Sequence, residues 1–167
     1  MLEPGDILLV RGQGIVSGLI ELFSSSKYSH AALYCGEMYG EPLICEAEAQ
    51  GVWINTLRAH KPEWDRIDVF RVKAPESYRH KTPLAAFEYV SKPYSFLELP
   101  GFLIAYATGL RSNPFANAEQ FICSELIDTA YLQLFSQEYG TKSLIRPGDI
   151  ARSQHVENLG VLPNLPP

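Results

Sequence analysis

Residues 28–34 read Tyr28-Ser29-His30-Ala31-Ala32-Leu33-Tyr34: a histidine at the head of a run of small and apolar side chains. Such a run reads as a strand, so the imidazole is either exposed at the strand end or aimed into a polar pocket. Far downstream, Phe121 to Phe135 carries Cys123, Leu126, Ile127, Ala130 and Leu134 at helical spacing. A histidine on a strand and, later in the chain, a cysteine opening a helix set the terms for the rest of the sequence.

Around these two stretches the chain divides into a strand-rich half and a helix-rich half. Ile7 to Val10, His30 to Cys35, Leu43 to Ala49, Val52 to Leu57 and Ile67 to Val72 read as strands. Turn-rich stretches such as Gly36 to Pro42 separate them. Gly14 to Phe23 has Ile15, Leu19, Leu22 and Phe23 at helical spacing and ends on Ser24-Ser25-Ser26. Pro83 to Val90 reads as a helix with its proline in the first turn. Leu97 to Gly109 reads as a buried helix interrupted at Pro100-Gly101, and Arg111 to Ala118 as a loop. Short strand candidates lie near Ile150 and Val161. Strands followed by helices, without regular βα alternation, predict an α+β fold with a small antiparallel sheet packed against helices.

At 167 residues, 46% hydrophobic and 20% charged, the chain has the make-up of a single globular domain over 1–167. A net charge of −5 with scattered basic residues argues against nucleic acid as a partner. The Met-Leu-Glu-Pro-Gly-Asp start carries no basic region before an apolar run, and Phe102 to Leu110 is too short to span a bilayer. Cys35, Cys45 and Cys123 make an odd count without Cys-x-x-Cys spacing, against a disulfide scaffold or structural zinc site. These features predict a reduced, cytoplasmic setting, no transmembrane segment and no metal; they leave oligomeric state open.

Cysteine catalysis needs a thiolate, an imidazole within reach, and a third polar group that orients the imidazole. A helix starting at Cys123 would stabilise the thiolate with its free N–H groups and dipole. The same groups, at Ser124 among others, would receive an oxyanion, where one donor is worth ~3 kcal/mol. A start at Asn117 or Ala118 would remove that help. In isolation the commoner readings are plainer: Cys123 as an inert buried thiol and His30 as a satisfied, half-buried histidine. Glu46 and Glu48, at i and i+2, share one strand face. A solvated carboxylate suits Glu48. Glu46, after an apolar run, is placed to orient His30 from a neighbouring strand. His60, His80 and His155 lie in polar stretches and read as surface residues.

Four segments in order resemble the permuted NlpC-type (YiiX-like) papain-fold hydrolases. They are Pro4-Gly5-Asp6-Ile7-Leu8-Leu9, the Tyr28–Tyr34 segment, Ile44-Cys45-Glu46-Ala47-Glu48-Ala49-Gln50-Gly51-Val52, and Phe121-Ile122-Cys123-Ser124-Glu125-Leu126-Ile127. Lys92-Pro93-Tyr94 is similar to a Pro-Tyr segment that precedes the nucleophile in this superfamily, and Ser91 departs from the glycine that relatives often carry there. Histidine precedes cysteine, the reverse of papain and the order of the permuted relatives. The resemblance implies a circularly permuted papain-like fold with Cys123 as nucleophile at the start of a helix, His30 as base, and Glu46, or alternatively Glu48, orienting His30. It implies that Tyr94, Tyr28, Ser29 and Ser124 line the substrate or oxyanion site.

These roles imply an acyl-enzyme mechanism with no cofactor, and the resemblance implies that it acts on small peptides or cell-wall-type amide bonds. Two other readings stay open. One is a lipid-directed thiol acyltransferase or lipase of the lecithin:retinol acyltransferase type, with Leu97 to Leu110 bordering a lipid amide or ester substrate. The other is a catalytically inactive binding module. A cell-wall or peptidoglycan-fragment substrate would require a delivery route other than a signal segment.

Overall fold

The computed structural model describes residues 1–12, 26–48, 50–94, 104–105, 108–110, 112, 114, 122–141 and 145–162. The helix expected over Gly14–Phe23, and most of the Leu97–Gly109 and Arg111–Ala118 stretches, lie outside the described residues. Among the described residues six strands form one antiparallel sheet: β1 Ile7–Arg11, β2 Tyr28–Met38, β3 Glu41–Glu48, β4 Gly51–Thr56, β5 Ile67–Val72 and β6 Val156–Val161, in spatial order β4-β3-β2-β1-β5-β6. The fold is α+β, as the order of elements predicted. The strand expected near Val161 is β6.

Strand periodicity sends alternate side chains to two separate cores. On one face Ile7, Leu9, Ala31, Leu33 and Cys45 pack against helix α3, Cys123–Ala130, through Leu126 and Ile127. Both of these helix side chains are fully buried, each worth roughly 1.5–3 kcal/mol. On the other face Leu8, Val10, Ala32, Ile44 and Ile67 meet Leu57 and Trp64. Those two residues anchor a run of 3-10 turns, Leu57–Arg66, and the Trp64 indole N–H donates to the Leu57 carbonyl at 3.2 Å.

The Pro4-Gly5-Asp6 segment locks the first strand to the helical half. Asp6 is fully buried and receives Arg71 Nε at 2.7 Å, while the Tyr131 hydroxyl donates to the Gly5 carbonyl. A Cβ on Gly5, whose φ is +93°, would lie 2.4 Å from the Arg79 carbonyl oxygen, so glycine is required by space as well as by conformation. Two short helices, α1 Glu76–Arg79 and α2 Thr82–Phe87, follow β5 among the described residues.

Two expectations are corrected here. The stripe from Phe121 to Phe135 is not one helix. Beyond α3 the backbone turns left-handed at Leu132 and Gln133 (φ 54° and 61°) and restarts as α4, Leu134–Tyr139. The cause is local: the Asp128 carboxylate accepts from the N–H groups of Phe135 (2.8 Å) and Ser136 (3.1 Å), capping a new helix start. Ile150 lies in a helix, α5 Pro147–Arg152, rather than a strand. Pro147 fits the first turn, and Asp149 reaches back to the Arg146 N–H at 3.0 Å, a strong helix-start pattern.

Candidate active site

Three elements deliver the site. Strand β2 carries His30 near its start, β3 carries Glu46, and α3 begins at Cys123. Ile122, extended and apolar, occupies the cap position and offers no side-chain acceptor. The first-turn N–H groups therefore face whatever lies beyond the helix end. The backbone N–H groups of Ser124 and Ala31 point to the Cys123 sulfur.

His30 bridges the other two groups. Its Nε2 lies 3.0 Å from Glu46 Oε2, and it is hydrogen-bonded to the Cys123 sulfur, which leaves Nδ1 for the thiol. Burial on its own would raise the Cys123 pKa. The imidazole hydrogen bond and charge, with the two backbone donors, outweigh it and hold the thiol below its ordinary value. Burial likewise opposes the His30 imidazolium, yet Cys123 and Glu46 lift its pKa to about 10. The arrangement favours a thiolate–imidazolium pair over the neutral one.

Glu46 is the pivot of the site, with no solvent exposure at all. A buried ionised carboxylate needs its oxygens satisfied. Oε2 takes His30, while Oε1 accepts from His60 Nε2 at 3.1 Å and from Asn55 Nδ2 at 3.2 Å. Burial pushes the carboxyl pKa up, but His30 and His60 together bring it down to about 2. Glu48, the other carboxylate on this face, is half-buried and makes no hydrogen bond to His30 among the described residues.

His60 and Asn55 were not legible as site residues. His60 is not a surface residue: its side chain is 15% exposed and stacks at 20° to His30, ring centroids 6.5 Å apart. The signal that would have found it is the pair Leu57 and Trp64, apolar anchors bracketing a polar stretch and folding it onto the sheet.

Of the residues expected to line the site, Tyr28 is buried, its hydroxyl donating to Asp68 Oδ2 at 2.6 Å, its ring edge-on to Phe70. Ser29 is half-buried beside His30. The Ser124 hydroxyl donates to the Ile145 carbonyl at 2.6 Å, so only its backbone faces the sulfur. Tyr94 packs, partly buried, on the core cluster that contains Cys123. Its segment is tied to the sheet edge: Val52 N–H donates to the Lys92 carbonyl and Ser91 N–H to the Val52 carbonyl, both at 2.8 Å. Ser91 itself has φ 73°, a left-handed conformation that glycine would hold without strain.

His30, Glu46 and Glu48 bring ligand atoms within 4.8 Å of one another. Glu46 Oε2 is already directed at His30 Nε2, 3.0 Å away, so a cation held by these residues would displace that hydrogen bond and the His30 proton in it. Among the described residues no helix is long and apolar enough to cross a membrane.

Comparison with known proteins bears on the family and the fold. The family described as permuted papain-like amidase enzymes, YaeF/YiiX, C92, matches residues 1–165. The chain is 35% identical over 71 residues to the probable lipoprotein peptidase YaeF of Escherichia coli (strain K12). That match covers 42% of this chain and about a quarter (24%) of the curated relative's length. The crystal structure described as metalloprotein YiiX from Escherichia coli O157:H7 superposes with a TM-score of 0.69 at 17% identity, over 95% of this chain and 97% of that one. At that identity the likeness is one of fold.

Proposed function

The chain belongs to the permuted papain-like amidase family and is a cysteine hydrolase of the peptidase/amidase type; we propose that Cys123 is its nucleophile, His30 its base and Glu46 the residue that orients His30. The observation that carries this reading is the continuous hydrogen-bonded chain from the Cys123 sulfur through His30 to a fully buried, ionised Glu46.

In the proposed reaction the thiolate attacks the carbonyl carbon of an amide, and the carbonyl electrons move onto oxygen. The free first-turn N–H groups of α3 are the donors that would receive that oxyanion. The His30 imidazolium gives its Nδ1 proton to the leaving amine as the tetrahedral species collapses to a thioester. His30, now neutral, takes a proton from water, which attacks the thioester and regenerates the thiolate–imidazolium pair. Glu46 holds the imidazole's tautomer and plane throughout. Cys123 supplies the covalent chemistry, so the cycle needs no organic cofactor.

The substrate we infer is a short peptide or a peptide-like amide, in keeping with the word peptidase in the name of the YaeF relative. The single domain over 1–167 is part of the same proposal. Alkylation of the native protein and of His30→Ala with iodoacetamide across pH 4 to 9, mapped by peptide mass spectrometry, tests the pair. Fast labelling of Cys123 below about pH 7, slowed by loss of His30, supports it. Labelling like an ordinary thiol of pKa ~8.5, indifferent to His30, would leave a binding module as the better account.

A further inference from the structure

Glu46 is gripped from both sides, and only one side is explained by the triad. His30 and His60 flank its carboxylate with rings nearly parallel, one imidazole on each oxygen at 3.0 and 3.1 Å. We propose that His60 is a positioning residue for the nucleophile. By donating to Oε1 it keeps the buried Glu46 charged and turned so that Oε2 faces His30, and through His30 it sustains the Cys123 thiolate. This inference rests on the reading of Cys123 and His30 as an acting pair.

Three observations support it. Glu46 has no solvent-exposed surface, so its charge depends on the donors around it. A carboxylate only accepts, which fixes the proton of His60 on Nε2. His60 is also held in place by its own element: Leu57 and Trp64 pin the 3-10 turns to the sheet, and His60 sits with Leu57 and Ile44 over the cavity behind the triad. Among the described residues, the groups of charge or titrating character around Glu46 are His30 on β2, Cys45 and Glu48 on its own strand and His60 from the 3-10 turns, with Asn55 of β4 the neutral donor. Arg58 is directed instead to Glu41, at 3.1 Å.

A structural histidine would act by filling space, a positioning histidine by its N–H. Two variants of the full chain separate these. His60→Phe keeps a ring and loses the donor; His60→Gln loses the ring and keeps a donor within reach of Oε1. His60→Leu, smaller and equally without a donor, carries the same contrast should the phenylalanine ring not fit. The readout is the apparent pKa of Cys123 from iodoacetamide rates against pH, with thermal melts to establish that each variant is folded.

The expected result is that His60→Phe raises the Cys123 pKa by about one unit, moving the pH of half-maximal labelling up by the same amount, since the buried Glu46 charge loses one of its donors. His60→Gln is expected to stay close to the wild type. A wild-type profile retained in His60→Phe, or a shift in His60→Gln as large as in His60→Phe, would overturn the proposal and leave the pair itself standing. An ordinary thiol in the wild-type protein would remove the acting pair and this inference with it.

Discussion

Replacing Glu46 by glutamine keeps the shape of the site and removes its charge. Three donors converge on the carboxylate, from His30, His60 and Asn55 at 3.0, 3.1 and 3.2 Å. The fall of its pKa from 4.5 to about 2 corresponds to about 3 kcal/mol of carboxylate stabilisation at neutral pH. A hydrogen bond to a charged group is worth about 1.5 kcal/mol or more, and His30 supplies one of them. In Glu46→Gln the imidazolium loses that much support, and an amide N–H turned toward Nε2 would force the opposite tautomer, with its proton on Nδ1. The expected effect is a drop in the His30 pKa of about one unit and a rise in the Cys123 pKa of similar size. The assay is ultraviolet thiolate absorbance against pH. Burial pushes Cys45 up to about 12 and Cys35 higher still, so below pH ~9 the signal reports Cys123 alone. Glu48→Gln is the control and should leave the titration within about twofold, as substitutions outside a buried hydrogen-bond network do. A Glu46→Gln curve that overlays the wild type, or a Glu48→Gln curve that moves as far, would refute the assignment of Glu46 as the orienting residue.

The same geometry has other consequences. Iodoacetamide at pH 6 should label Cys123 at least about tenfold faster than Cys35 or Cys45, because burial raises those two thiols without a compensating cation; equal labelling in peptide maps would contradict this. Stability should vary with pH at both ends. The Glu46 contribution is complete above pH 4.5 and lost as pH falls through about 2, whereas the His30 contribution is complete below 6.5 and lost as pH rises through about 10. Melting temperatures across that range should fall at both limits, with the alkaline loss absent in His30→Ala. Ser91→Gly should stabilise the fold by about 1 kcal/mol, since Ser91 holds a left-handed φ of 73°; denaturant unfolding that shows no gain would mean the strain is relieved elsewhere.

Much of this architecture could be read from residue patterns, and the gaps have physical causes. Strands β1 to β5 were legible because alternation and turn residues are local signals. The break between α3 and α4 was not, since it depends on the Asp128 carboxylate folding back onto Phe135 and Ser136. Nor could spacing choose between Glu46 and Glu48, because both share one face and the choice depends on register. The sheet pairs Ala32 with Glu46, and that register continued would set His30 opposite Glu48. The hydrogen bond nevertheless runs diagonally to Glu46, which is fully buried and held from behind by Asn55 and His60. Those two donors come from β4 and the 3-10 turns, elements that a pairwise reading of β2 and β3 leaves out.

The way the site is assembled also explains why a permuted chain order can serve this chemistry. His30 and Glu46 project from one face of the sheet, toward the core that the 3-10 turns complete, while Cys123 arrives on a helix packed against the opposite face. His30 reaches both because it lies near the start of β2, where the strand ends and α3 begins. Nothing in that arrangement depends on which element the chain visits first. It depends on a strand start, a helix start and a buried carboxylate meeting at one corner of the sheet. Sequence order alone therefore does not restrict the site, but any change that frees the Leu57–Arg66 turns from the sheet should disarm Cys123 from the far side, without touching the helix that carries it.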